Sequence, residues 1–296
     1  MDTIRVNFGC LKITKTIVVI NTTRINPLPD RAIIGMVHLQ PLPGSPRFTG
    51  DLEAVERFAI NDAKTLIAGG CHAIMIENFG DAPFHGNEVA PITIAAMSRI
   101  VSKIVDEAAR LEGIPVGVNV LRNDAAAALS IASACGANFI RVNIHVGGMM
   151  TDQGLIEGKA AETLRLREQL GHGPDSNHPI AIFADVGVKH ATPLDSDWML
   201  EQEAQDCWNR GLADALIVSG SGTGQPTSPE DNARVRLATP HATLLVGSGV
   251  TSENLQDYLR HADGAIIGTS LKEGNDVSKR VDLSVVSKVI EAAKSK

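Results

Sequence analysis

The sequence predicts an α/β fold, a single-domain (β/α)8 TIM barrel preceded by an N-terminal extension. First, eight short Val/Ile-rich runs alternate with amphipathic segments along the 296 residues, a pattern typical of parallel sheets with helical crossovers. Second, the length is close to the roughly 250 residues of such barrels. Third, the last two predicted strands end in small residues, where these barrels bind phosphate. An open doubly wound sheet, the main alternative, gives no reason for those two ends to come last.

The predicted strands are short, apolar and rich in β-branched residues, which favours strands buried on both faces. They cover residues 33–39, 73–78, 115–121, 138–143, 180–186, 213–219, 243–246 and 264–267. The intervening segments repeat apolar residues at helical spacing. We predict helices over residues 51–68, 88–111, 124–134, 158–170, 197–209, 229–238, 252–259 and 283–293.

No linker or shift in composition divides the chain, so we predict one barrel domain over residues 31–296. Residues 1–30 are predicted to form an arm that closes the barrel bottom, with a weak targeting segment as the alternative. Two loops are longer than a tight connection needs. We expect the proline-rich loop 40–50 to be stiff and the glycine-containing loop 145–157 to be a mobile lid.

The composition narrows the class of partner. A net charge of -7 and a pI near 5.7 argue against nucleic-acid binding, which needs a basic surface. No apolar run approaches the roughly 18 residues of a membrane span. The four cysteines are scattered without metal-site spacing, which predicts reduced thiols and a cytoplasmic protein. A mitochondrial or peripheral-membrane location is the alternative, and we expect a homo-oligomer.

Small residues follow the last two predicted strands. At a turn from a strand into a helix, such residues leave backbone N–H groups free to bind an anion. The sequence therefore predicts a small phosphorylated metabolite as the ligand. The predicted phosphate-binding residues are Gly247, Ser248, Gly249, Gly268, Thr269 and Ser270.

Polar side chains near the ends of other predicted strands form a second group of candidates. Arg141 and Asn143 share one face of the fourth predicted strand, because side chains alternate along a strand. A buried arginine needs a carboxylate partner, and Glu77 and Asp185 are the candidates. Such a pair either plugs the barrel as a structural element or orients a substrate, and the sequence leaves both interpretations open.

These residues predict proton-transfer chemistry, with Asp185 and Lys189 as the most economical acid/base pair. Glycines in the run after the sixth predicted strand permit a close approach to a ligand, although a flexible loop is the alternative. The predicted catalytic residues are Asp185, Glu77, Lys189 and His38. The predicted substrate-binding residues are Asn119, Arg141, Asn143, Ser219, Gly220 and Thr223.

No cofactor is predicted firmly. His38, His145 and His190 lie near the predicted mouth and could bind a divalent metal with an acid. The sequence has neither an HxH nor an HExxH motif, so we predict no metal site. FMN is a further alternative, since a phosphate cradle could also hold the FMN phosphate.

Several motifs together resemble the BtpA family of the ribulose-phosphate-binding barrels, from about residue 34 to residue 292. They are GMVHLQPLPGSP at 35–46, ENFGDAPF at 77–84, RVN at 141–143, TDQGLIEGKA at 151–160, ADV at 184–186 with KH at 189–190, SGSGTG at 219–224 and GSGVTSEN at 247–254. The resemblance implies a TIM barrel and, for the cyanobacterial namesake, a role in photosystem I biogenesis. Other members look like proteins of sugar or nucleoside metabolism.

We therefore expect an enzyme that acts on a phosphorylated sugar or nucleotide-like metabolite by isomerase, epimerase or lyase chemistry. A non-catalytic biogenesis factor for a photosystem or membrane complex is the first alternative. That alternative predicts a mouth without convergent acids and a large exposed apolar surface. An FMN-binding barrel is the second alternative, and it predicts a coloured protein.

Overall fold

The computed structural model describes residues 23–220 and 227–294. Eight parallel strands close in the order β1-β11-β10-β9-β7-β4-β3-β2, which confirms the predicted TIM barrel. The strands, in chain order, are β1 Ala32–His38, β2 Ala73–Glu77, β3 Val116–Asn119, β4 Phe139–Val142, β5 Gly148–Thr151, β6 Gly154–Glu157, β7 Ala181–Val186, β8 Ala191–Pro193, β9 Ala215–Ser219, β10 Leu244–Gly247 and β11 Gly264–Ile267.

The helices lie outside the barrel and pack their apolar faces against it. They are α1 Leu52–Ala68, α2 Pro91–Leu111, α3 Ala125–Cys135, α4 Ala160–Gln169, α5 Leu200–Gln205, α6 Pro229–Ala238, α7 Leu255–Tyr258 and α8 Leu283–Lys294. Aspartate side chains cap two helix starts, where Asp51 accepts from the Ala54 amide and Asp124 from the Ala127 amide. None of the helices in the described ranges is long and apolar enough to cross a membrane.

Several predicted helices are longer than the observed ones, and local chemistry accounts for three of the differences. The helix predicted from residue 88 begins at Pro91, where proline needs no amide partner. The helix predicted over 197–209 begins only at Leu200, and its α-helical part, α5, ends at Gln205. A π-helical turn, Asp206–Arg210, follows it directly. The one predicted over 252–259 is a single turn, α7, because the Asn254 side chain accepts the Thr251 amide at 2.7 Å in place of a helical bond.

The long connection predicted over 145–157 contains a hairpin that the sequence analysis did not predict. Strands β5 and β6 pair antiparallel, and β8 extends them to a three-stranded sheet over the barrel. Met149 and Ile156 face inward and are buried. At the tip, the Thr151 hydroxyl donates to the Gly154 carbonyl at 2.9 Å, and Gly154 takes a φ of +90°.

Aromatic packing fills the lower barrel. The Phe139 and Phe183 rings stack with centroids 4.7 Å apart. Residue 117 must be glycine, because a Cβ there would lie 2.1 Å from the Phe139 ring. Ile25 belongs to the same buried cluster, and its amide donates to Asp214 at 3.0 Å, just before β9. Residue 25 thus closes the barrel bottom, whereas residues 1–22 of the predicted arm lie outside the described residues.

A buried ion pair ties the segment after β11 to helix α1. Lys272 Nζ lies 2.5 Å from Asp62 Oδ2, and both side chains are almost fully buried. Burial lowers the pKa of Lys272, and Asp62 opposes that shift. The other Asp62 oxygen accepts the Val281 amide at 3.1 Å. Asp62 therefore holds both ends of the loop that leads from β11 to α8.

Replacing Asp62→Asn should lower the free energy of unfolding by about 3 kcal/mol, because Lys272 would keep a buried charge without a counterion. Urea denaturation measures this loss. The matched control is Glu53→Gln, which removes an exposed pair with Arg57 and should cost less than about 1 kcal/mol. Equal losses in the two variants would contradict a stabilising role for the buried pair.

Candidate functional site

Strand register brings four polar side chains to one level inside the barrel. His38 pairs with Glu77 across β1 and β2, Glu77 with Asn119 across β2 and β3, and Asn119 with Arg141 across β3 and β4. Paired residues of neighbouring parallel strands point to the same face. Together with Asn143 and Asp185, these residues form a polar layer above the aromatic stack.

Arg141 and Asp185 form the central ion pair of the polar layer. Arg141 Nε donates to Asp185 Oδ1 at 2.8 Å, and Arg141 Nη2 donates to Asp185 Oδ2 at 2.9 Å. Asn143 Nδ2 adds a third bond to Oδ2 at 2.8 Å. Both side chains of the ion pair are buried, and the nearby carboxylates outweigh desolvation and raise the pKa of Arg141. The carboxylate that Arg141 needs is therefore Asp185.

Glu77 is held separately, by neutral groups. Asn119 Nδ2 donates to Glu77 Oε2 at 2.6 Å, and His38 Nε2 lies 4.0 Å from Glu77 Oε1. Burial lowers the pKa of His38 to about 4, so this imidazole is neutral at pH 7. Burial opposes ionisation of Glu77, but the charges of Lys189 and Arg141 outweigh it and lower the pKa of the carboxyl. Glu77 is thus an ionised carboxylate whose Oε1 accepts no hydrogen bond from the described residues.

Two more basic residues lie at the mouth. Lys189 is half-buried, and burial, assisted by Arg141, lowers the pKa of its ammonium. The ammonium forms no ion pair within the described part of the chain. The buried Arg122 donates from its guanidinium to the Lys189 carbonyl. Sequence reasoning missed Arg122, although its place directly after the third predicted strand is a signal for it.

A cavity of about 440 Å³ opens over the polar layer. It brings together side chains from the polar layer and both segments of the predicted phosphate cradle. Asn275, from the turn after β11, also lines the cavity and was missed. The predicted site residues that line it are His38, Glu77, Arg141, Lys189, Ser248, Gly249, Gly268, Thr269 and Ser270.

The two halves of the cradle differ in local structure. A single 3-10 helical turn begins at Thr269, directly after Gly268, whereas residues 247–251 form a turn and helix α7 begins only at Leu255. Gly249 has a φ of +67°, and the Asn254 side chain donates to its carbonyl at 2.9 Å. The amides of Gly249 and Thr269 donate to no group in the described part of the chain. Residue 268 must be glycine, since a Cβ would lie 2.6 Å from the His38 ring.

Other predicted site residues do not reach the cavity wall. Three lie in the polar layer beneath it, and three lie at the ends of β9 and β10, where the Gly220 amide donates to the Gly247 carbonyl at 3.3 Å. Thr223 lies outside the described residues. The residues in the polar layer are Asn119, Asn143 and Asp185, and those at the strand ends are Ser219, Gly220 and Gly247.

Several of these buried groups lack a partner. Asn119 Oδ1, Asn143 Oδ1 and Ser219 Oγ accept or donate no hydrogen bond within the described residues. A buried polar atom without a partner costs free energy, so its presence near a cavity is typical of a binding site.

The histidines do not assemble a metal site. His145 turns away from the mouth, and its Nε2 lies 2.8 Å from the Gly211 carbonyl. Its predicted place at the mouth is therefore wrong, because the chain leaves the barrel after Asn143. His190 is exposed. In residues 23–220 and 227–294, no three His, Cys, Asp or Glu side chains are grouped so that they could hold a metal ion.

Comparison with known proteins shows the relatives of this chain. Residues 29–295 match the model of the BtpA family. Photosystem I biogenesis protein BtpA of Synechocystis sp. is 45% identical over 260 residues, which are 88% of this chain and 87% of that protein. An uncharacterized protein of Thermococcus kodakarensis is 43% identical over 264 residues, 89% of this chain and 95% of that protein.

Among solved structures, N-(5'-phosphoribosyl)anthranilate isomerase from Pyrococcus furiosus is similar in fold. The TM-score is 0.52 at 12% sequence identity, and the match covers 89% of this chain and 98% of that one. At this identity the likeness shows the TIM-barrel fold alone. The extent of the family match and the identity to the Synechocystis protein settle the family: the chain belongs to the BtpA family.

Proposed function

We propose that this protein is an enzyme that binds a phosphorylated sugar or nucleotide-like metabolite and moves a proton on it, as an isomerase, epimerase or lyase does. One observation carries the proposal. A single cavity of about 440 Å³ joins a cradle, in which the Gly249 and Thr269 amides donate to no group among the described residues, to a carboxylate and two basic side chains. Such a combination of a concave site and convergent charged groups is typical of an active site.

The charge of the site supports an anionic ligand. Arg141 and Lys189 line the cavity together with a single carboxylate, Glu77. Two basic side chains thus face one acid among the lining residues, although the chain as a whole carries a charge of -7. A phosphate on the cradle would neutralise the excess positive charge and accept hydrogen bonds from the Gly249 and Thr269 amides. The Pyrococcus furiosus isomerase of similar fold is named after such a phosphorylated sugar compound, N-(5'-phosphoribosyl)anthranilate.

The arrangement also supports proton transfer. In the proposal, the Glu77 carboxylate removes a proton from the carbon next to a carbonyl group, and the C–H electron pair forms an enolate. The Lys189 ammonium stabilises the enolate oxygen, and neutral His38 hydrogen-bonds a hydroxyl group. Return of the proton to the opposite face of the same carbon gives the epimer. Delivery of the proton to the former carbonyl carbon, with the neighbouring hydroxyl proton passing to the former carbonyl oxygen, gives the isomer. Arg141 orients the substrate, and Asp185 positions Arg141, because hydrogen bonds from Arg141 and Asn143 occupy both of its oxygens.

A second candidate function is a non-catalytic role in assembling a membrane complex. The name of the Synechocystis relative supports it. Exposed apolar side chains on or next to the small sheet formed by β5, β6 and β8 support it too. Met150 and Leu155 are each 48% exposed, and Leu194, directly after β8, is 58% exposed. The convergent acids at the mouth favour the enzyme. We also propose a cytoplasmic location, since Cys71, Cys135 and Cys207 are free thiols.

Replacing Ser248→Asp should weaken binding of ribose 5-phosphate at least about tenfold, because a carboxylate in the cradle repels the phosphate. Isothermal titration calorimetry measures the affinity. The control, Ser252→Asp, adds the same charge to the same segment outside the cavity lining and should change affinity less than about twofold. Equal affinity in the natural protein and Ser248→Asp would contradict phosphate binding at the cradle.

Glu77→Gln should lower the rate at which the substrate C–H proton exchanges with deuterium by about 100-fold or more, because glutamine cannot accept that proton. The measurement is proton NMR of ribulose 5-phosphate and related phosphosugars in D2O with each variant. Glu112→Gln, an exposed control on the surface, should exchange at the natural rate. Absence of exchange by the natural protein with every phosphosugar would reject the enzyme and favour the assembly role.

A further inference from the structure

A second cavity lies away from the candidate active site. It has a volume of about 740 Å³ and runs between the small sheet and helices α4 and α5. It shares no lining residue with the active-site cavity. A volume of this size is typical of sites for small organic ligands.

The walls of this second cavity are largely apolar. The apolar lining residues include Leu164 of α4, Met149 of β5, and Leu194, Trp198 and Met199 from the segment before α5. Met199 and Leu194 are 56% and 58% exposed, so a ligand that covers them would gain binding free energy by burying apolar surface. The body of a suitable ligand is therefore apolar and flat enough to lie beside an indole ring.

One of the lining carboxylates, Glu203, is held in place by two hydrogen bonds. Glu203 Oε2 accepts from the Gly187 amide and from Trp198 Nε1, both at 3.1 Å. Its other oxygen, Oε1, has no partner among the described residues. Glu203 lines the cavity, and burial raises its pKa to about 7. A half-satisfied carboxylate in an apolar wall needs a donor, and a cationic donor gives the strongest bond.

The charges around the cavity favour a cation as well. Four acidic residues line it against two arginines, and Arg210 lies 3.9 Å from one of these acids, Asp206. Arg165 turns back to donate to the Ala161 carbonyl at 2.9 Å. The lining acids are Glu203, Asp195, Asp197 and Asp206. An anionic ligand would meet repulsion here, and a cation would meet attraction.

We propose that this second cavity binds a small amphipathic amine, with its apolar body against Trp198 and Leu164 and its ammonium on Glu203 Oε1. The site is independent of the phosphate-binding function. The cavity is also linked to the candidate active site. Glu203 accepts a hydrogen bond from the Gly187 amide, and Gly187 lies two residues before Lys189. An occupied cavity would therefore restrain the segment that carries the candidate catalytic lysine.

The test compares two probes of equal shape, 2-(1-naphthyl)ethylamine and 2-(1-naphthyl)ethanol, by isothermal titration calorimetry at pH 8. The amine should bind at least about tenfold more tightly than the alcohol, because only the amine pairs with the ionised Glu203. At pH 6 this preference should decline, since Glu203 with a pKa near 7 becomes protonated while the amine stays charged. Saturating inorganic phosphate should leave the preference unchanged.

Glu203→Gln should remove the preference at pH 8, because glutamine still accepts from Gly187 and Trp198 but carries no charge. The control Glu201→Gln alters the same helix at an exposed pair with Arg234 and should keep the preference. Ala161→Trp, an exposed position on the cavity wall, should weaken both probes at least about tenfold by filling the space. Equal binding of the two probes, binding of neither, or a preference kept in Glu203→Gln would overturn the proposal.

Discussion

The bidentate pair of Arg141 and Asp185 is the interaction on which the inside of this barrel depends. A guanidinium inside a sheet of Val and Ile needs a counterion, because desolvation of an unpaired charge costs several kcal/mol. Asp185 meets that need with both oxygens, and Asn143 completes its hydrogen bonding. The pair therefore joins β4 to β7 and leaves Glu77 as the carboxylate that is open to a ligand.

This division of roles gives the candidate active site two ends. At one end, the turns after β10 and β11 present backbone amides, and the Lys272–Asp62 pair holds the second turn in place. At the other end, Glu77 and Lys189 face the cavity from β2 and the segment after β7. Because the basic groups outnumber the acids by one, the site suits an anion even in an acidic protein.

The eight barrel strands were predictable because each Val/Ile run is buried on both faces. The need of Arg141 for a carboxylate was predictable as well, but its partner depends on side-chain geometry across β4 and β7. The hairpin of β5 and β6 was missed because its alternation is short and lies among glycines. His145 was misplaced because the strand had already ended. The roles of Glu77 and Lys189 stay predictions, since no sequence pattern fixes a reaction.

In our proposal, one cavity holds a phosphorylated metabolite between the cradle and the polar layer. The decisive measurement is a crystal structure of the protein soaked with ribulose 5-phosphate. We expect phosphate oxygens within hydrogen-bonding distance of the Gly249 and Thr269 amides, with the sugar carbonyl beside Lys189 and Glu77. Density for the phosphate at any other place, with this cavity empty, would contradict it.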